Sequence, residues 1–165
     1  MGGEIDMRSP LNGPLEVAVR VLTVLLEAFP AQLDLNRLVL LDHGLLHSAD
    51  LGGPVSLHPP VPLRSGELGV KRERIQGGVE VLLRAGLAHM APTSEGIHFW
   101  ASERAAGFVR LLETQNAHAL VERAAWVVEH FGQLSDAELR DAMRAASGHW
   151  SEEFERTHLT PSEVD

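Results

Sequence analysis

Residues 49–66, ADLGGPVSLHPPVPLRSG, hold four prolines and three glycines, and nothing else in the chain limits its fold as sharply. Proline removes a backbone donor and blocks the helical hydrogen bond four residues back. This stretch can therefore be neither helix interior nor central strand. It has to be a long connection between two blocks of regular structure. Connections of this length inside a compact domain are uncommon, and they usually carry function or are disordered. Five apolar residues within it (Leu51, Val55, Leu57, Val61 and Leu63) speak against a plain linker, which would be more polar. The expectation is an ordered loop packed on another surface.

Ahead of the loop, residues 1–14 read as a flexible leader rich in Gly, Pro, Asn and Ser. Pro14 suits the first turn of a helix, where its missing N–H costs nothing. That helix runs from Leu15 to Phe29, with Val17, Val21, Val24 and Leu25 on one face, and Pro30 ends it. Asp34 can cap a second helix, in which Leu35, Leu38, Val39, Leu45 and Leu46 recur at helical spacing to about Ser48.

Behind the loop, Ser65 can cap a third helix with Leu68, Ile75, Val79, Leu82 and Leu83 facing inward. Gly77 and Gly78 lie inside it at a cost of roughly 1 kcal/mol each relative to alanine, which points to close packing or a kink. Gly86 is a natural stop. Leu87–Met90 and Ile97–Trp100 are short β-prone runs around PTSEG, the chemistry of a hairpin. A helix is expected from Ser102 to about Gln115. A stronger one is expected from Ala117 to Phe131, striped by Leu120, Ala124, Val127, Val128 and Phe131. Ser135 and Glu138 form a capping-box start for a last helix, which fades near Gly148. The fold class is mainly α with a small β-hairpin. Three helices followed by a hairpin give a winged helix-turn-helix core over 15–101, interrupted by the loop at 49–66. Appended helices cover 102–150 and an acidic tail covers 151–165.

A DNA-reading winged helix places its third helix in the major groove and its wing on the backbone. The charge distribution speaks against that use here. The formal net charge is −9, and residues 64–110 carry seven cations against five carboxylates. That is weak neutralisation for a contact of several phosphates. Arg64, Lys71, Arg72 and Arg74 are the possible nucleic-acid contacts, but Glu67, Glu73 and Glu80 share the helix. A solvated face or an ion-paired protein interface is the simpler reading.

No constellation of catalytic residues emerges, and the chain is expected not to be an enzyme. It lacks cysteine, a GxSxG elbow and a GxxxxGK[ST] phosphate loop. His43 and His47 share a helix face, and with Asp50 and His58 they could in principle hold zinc or iron. The sequence there reads HGLLH, not HExxH, so ordinary polar histidines at a helix end are the simpler reading and neither metal nor cofactor is expected. His89 and His98 lie on the two strands and could pair across the hairpin. Trp100, at the end of the second strand, is a candidate interface anchor or a residue packed under the appended helices. The first residues lack the apolar core of a secretory signal and no apolar run would span a bilayer, so the cytoplasm is expected and no membrane.

The stretches SPLNGPLEVAVRVL, LDLNRLVLLDHGLLHSADLGGPVSLHPPVPLRSGELGVKRERIQGGVEVLLRAGL, TSEGIHFWASERAAGFVRLL and ERAAWVVEHFG span roughly Ser9 to Trp150. They resemble the middle component of the ABC three-component bacterial conflict systems, HSADLGGPVSLHPPVPLRSGEL being the most specific part. The resemblance implies a winged-helix subunit that works beside an SMC/Rad50-like ABC ATPase and an effector, often a nuclease, as in Lamassu-like anti-phage defence. It implies that catalysis belongs to the partners, and it offers no catalytic residues to carry over.

The resulting expectation is a non-catalytic adaptor. Its partner contacts are expected at His58, Pro59, Leu63, Arg64 and Glu67, at Arg72 and Arg74 of the third helix, and at Trp100. The rival is a winged-helix transcriptional regulator that dimerises through the appended helices and binds DNA with steep salt dependence.

Overall fold

The structure, a computed structural model, describes residues 13–57 and 67–146. His58, Pro59, Leu63 and Arg64 lie outside the described residues, as do the leader to residue 12 and the tail.

Helix α1 (Pro14–Ala28) begins with its proline in the first turn and buries Val17, Val21, Leu22, Val24 and Leu25. After it comes a two-residue strand, β1 (Leu33–Asp34), that leads directly into α2 (Leu35–Leu46). The Asp34 carboxylate accepts a hydrogen bond from the Arg37 N–H (2.8 Å) and so caps α2. Helix α3 (Glu67–Arg84) ends on a paired turn. Leu87 N–H donates to the Leu82 carbonyl (2.9 Å) and Gly86 N–H donates to that of Leu83 (3.2 Å). This closure needs a residue in the left-handed region, which Gly86 supplies with φ +71°.

Strands β2 (Ala88–Thr93) and β3 (Gly96–Ala101) pair antiparallel, Ala88 facing Ala101 and Thr93 facing Gly96. β1 pairs along the other edge of β3, with Leu33 opposite Phe99. The expected hairpin is thus two strands of a three-stranded sheet ordered β1-β3-β2. His89 does not pair with His98. It stands opposite Trp100, its ring 5.8 Å away, while His98 faces Ala91.

The expected helix from Ser102 to Gln115 is shorter than its sequence promises. α4 covers Ala105–Arg110 only. Thr114 then accepts from the Ala117 N–H (3.1 Å) and starts α5 (Gln115–Phe131). Ser135 likewise caps α6 (Asp136–Ala146) through the Glu138 N–H (3.2 Å).

Helices α1, α2 and α3 enclose a core of Leu22, Leu25, Leu38, Leu41, Leu45 and Ile75, all essentially without exposed surface. Glycine sets two close approaches. A Cβ on Gly78 of α3 would stand 2.9 Å from Val17 Cγ1 and 3.1 Å from the Ala18 backbone nitrogen of α1. One on Gly44 of α2 would stand 2.8 Å from both Val127 of α5 and Met143 of α6. Arg37 adds a polar clamp between α2 and the α5–α6 junction. It donates to the carbonyls of Gly132 (2.9 Å) and Leu134 (2.5 Å) and pairs with Asp136 (2.9 Å).

The first half of the proline-rich connection is pinned to the same helices. Ser48–Leu51 forms one 3₁₀ turn, and the Ser48 hydroxyl donates to the Pro54 carbonyl (2.9 Å). The Arg123 guanidinium of α5 donates twice to the Val55 carbonyl (2.8 and 2.9 Å). Gly53 lies so close under the Trp126 ring that an added Cβ would fall 2.3 Å from Cζ2. Segment 48–57 therefore belongs to the packed structure.

Candidate partner-binding face

Three charged residues on three different helices meet, Arg20 and Asp42 buried in the core and Lys71 half-buried at its edge. Arg20 of α1 grips Asp42 of α2 through Nε to Oδ1 and through Nη2 to Oδ2 (3.2 Å), and Lys71 of α3 brings Nζ within 2.9 Å of the same Oδ2. Arg20 is 3% exposed and Asp42 only 1%. Burial by itself works against ionising Asp42. The fields of Lys71 and Arg20, with their hydrogen bonds, outweigh it and hold the carboxyl down at about 2. Lys71 is therefore turned into the core and is spent on Asp42, whereas its place in the run KRER suggested a contact for phosphate.

His43 is the next residue along α2 and is also buried, with the His47 ring 4.7 Å away. Burial, then Lys71 and His47, press its imidazole down to about 3, against a smaller opposing pull from Asp42, so it is neutral at ordinary pH. Among the described residues no group of three His, Cys, Asp or Glu is arranged to hold a metal ion.

The remaining expected contacts fall on different surfaces. Arg72 is exposed on α3 and donates to the side-chain oxygen of Asn36 at the start of α2. Arg74 is exposed on the same helix. Glu67 is the first residue of α3. Trp100 is half-buried, and strand alternation puts it on the opposite face of the hairpin from Phe99 and Ile97. It is not brought together with Arg72.

What Arg72 does border is a groove of about 500 Å³ between the start of α2, the outer side of α3 and the hairpin. Val79, Leu83 and Phe99 form its floor. Met90 and Ile97 stand at its edge with 46% and 47% of their surface exposed. Its charged lining is three carboxylates, Asp34, Glu80 and Glu95, against one cation, Arg72. The hairpin itself, residues 88–101, contains Glu95 and no lysine or arginine. Such a surface can bury apolar side chains and attract cations, but it cannot neutralise a row of phosphates. Sequence reasoning missed this groove because Met90 and Ile97 were read only as strand residues. Their alternation with His89 and His98 was the available signal.

A family model described as ABC-three component (ABC-3C) system Middle Component 2 matches residues 10–153. Comparison with curated proteins and with solved structures yields no match.

Proposed function

Because the chain belongs to the ABC-three component (ABC-3C) system Middle Component 2 family, we propose that it is a non-catalytic adaptor joining an SMC-like ABC ATPase to an effector of the nuclease class. The setting is a Lamassu-like anti-phage complex in the bacterial cytoplasm. A middle component of a multi-component system has protein partners. In this reading the core is a winged helix, with α3 in the place of a reader helix and β2–β3 as the wing. The order helix, short strand, helix, helix, hairpin supports it.

The observation that carries the adaptor reading is the character of the groove between α3 and the hairpin. DNA laid there would meet Asp34, Glu80 and Glu95 and a wing without a cation. A protein segment with apolar side chains flanked by Lys or Arg meets complementary chemistry at each point. Burying Met90 and Ile97 under such a segment gains about 25 cal/mol for each Å² of apolar surface covered.

The test is co-expression with the products of adjacent genes, followed by native mass measurement of the assembly, for the parent and for Met90→Lys with Ile97→Lys. An adaptor assembles as the parent, and the double variant is lost from the complex while melting at the parent's temperature. Assembly that survives both substitutions overturns the groove as the docking face. A homodimer that ignores the adjacent subunits and binds duplex DNA, with binding lost on Arg72→Glu and Arg74→Glu, replaces the adaptor with the regulator.

A further inference from the structure

A second groove lies on the other side of Arg72 and Asn36. It measures about 350 Å³ and runs between α2, the start of α3 and α6. The half-buried Leu40 lines it over the buried Val39 and Met143, and Arg72, Arg140 and Arg144 stand around it. No carboxylate lines it among the described residues. The contrast with the rest of the molecule is what draws attention, since the chain has 23 acidic residues against 14 Lys and Arg. Three of those cations border this groove, whereas Glu138 and Asp141 of the same helix are not among the residues that line it.

The helix geometry explains how this comes about. Arg140 and Arg144 are one turn apart on α6 and share the face that carries the buried Met143. Of the acidic residues on α6, Asp136 is engaged by Arg37 at 2.9 Å. Among the described residues neither Arg140 nor Arg144 forms an ion pair. Arg72 is held toward the groove mouth by its bond to Asn36. A planar guanidinium matches a carboxylate with two parallel hydrogen bonds, and one already held in place loses less freedom on binding.

We propose that this groove binds an acidic protein segment that carries an apolar side chain. The apolar group sits against Leu40, above the buried Val39 and Met143, and the flanking carboxylates pair with Arg72 on one side and with Arg140 and Arg144 on the other. A nucleic-acid backbone is the poorer fit. It offers nothing for the apolar floor, and a duplex extended past Arg72 would run onto Glu80 and Glu95 of the neighbouring groove. The two grooves thus take segments of opposite charge on either side of Arg72. Arg140 and Arg144 belong to this groove alone, whereas Arg72 borders both.

The test is fluorescence anisotropy on the full chain with three labelled probes. They are a synthetic peptide of phenylalanine flanked by glutamates, the same peptide with glutamine for every glutamate, and a short DNA duplex. The acidic peptide binds saturably, and the glutamine peptide binds about tenfold more weakly or worse. Arg140→Glu with Arg144→Glu weakens the acidic peptide by at least about tenfold, and Met90→Lys with Ile97→Lys leaves it unchanged. The milder pair Arg140→Gln and Arg144→Gln, with the parent's melting temperature, separates lost contact from lost fold. Absence of saturable binding, equal binding of the glutamine peptide, or indifference to the α6 substitutions overturns the proposal. Displacement of the peptide by the duplex, with duplex binding lost in the same α6 variants, reassigns the groove to phosphate.

Discussion

Lowering the pH from about 7 to about 5 destabilises this protein through His43 in particular. The imidazole is 6% exposed and is held down at about 3 by burial, by Lys71 and by His47, whereas an unfolded histidine titrates at 6.5. Between those two values the unfolded chain carries a proton at this position that the folded chain does not. Stability therefore rises with pH across the window and is lost on acidification below 6.5. At about 1.4 kcal/mol per pH unit, the drop to about pH 5 costs about 2 kcal/mol from this one residue. With a urea dependence of about 2 kcal/mol per M, the unfolding midpoint moves by about 1 M. Asp42 adds nothing in this range, because both its folded and its unfolded value lie below it. The assay is urea unfolding followed by tryptophan fluorescence at both pH values, for the parent and for His43→Gln. The other eight histidines act in both chains, so the difference in pH slope isolates His43. The parent loses about 2 kcal/mol more than the variant on acidification. Equal losses would refute the placement of a neutral, buried imidazole at this position.

Asp42→Asn leaves the buried Arg20 and the inward Lys71 without their carboxylate and costs about 3–5 kcal/mol in urea unfolding. The parent's Asp42 contribution is full above 3.8 and vanishes as pH falls through about 2, and the variant's acid unfolding lacks that step. Adjacent glycines respond with opposite sign. Gly77→Ala meets no atom within 4 Å and raises stability by about 0.5–1 kcal/mol, while Gly78→Ala drives its Cβ toward Val17 and the Ala18 backbone and lowers it by about 1–3 kcal/mol. Thermal melts in which both shift the same way would contradict the α1–α3 packing. Arg37→Ala releases the carbonyls of Gly132 and Leu134 together with Asp136 and costs about 1–3 kcal/mol. Hydrogen exchange in α6 then accelerates while α1 and α3 keep their protection.

The helices were legible because each carries its own apolar stripe and its own stop or start, as with Gly86 at the end of α3 and Ser135 before α6. The two missed features of secondary structure lacked a local signature. β1 is two residues long and exists as a strand only because Phe99 and His98 of β3 pair with it. The run 102–115 reads as one helix by its composition, but α4 stops at Arg110 and Thr114 starts α5 with its own cap.

The internal cluster did leave a trace in the sequence. Arg20 shares a helical phase with Val17, Val21 and Val24, Asp42 with Leu38, Leu45 and Leu46, and Lys71 with Ile75, Gly78 and Leu82. Charged residues at core phase on three successive helices, of sign plus, minus and plus, can be buried only if they meet. Reading Lys71 by phase and not by the basic run around it removes a cation from the outer side of α3. The seven cations of residues 64–110 become six against five carboxylates, and none of the six lies in the hairpin. The surface charge that bears on partners is then set by placement. Glu80 and Glu95 make one groove acidic, while Arg140 and Arg144 make its neighbour basic on the most acidic third of the chain. A net charge of −9 points to neither groove, because a partner segment feels the few groups within about 10 Å of it and is screened from the rest.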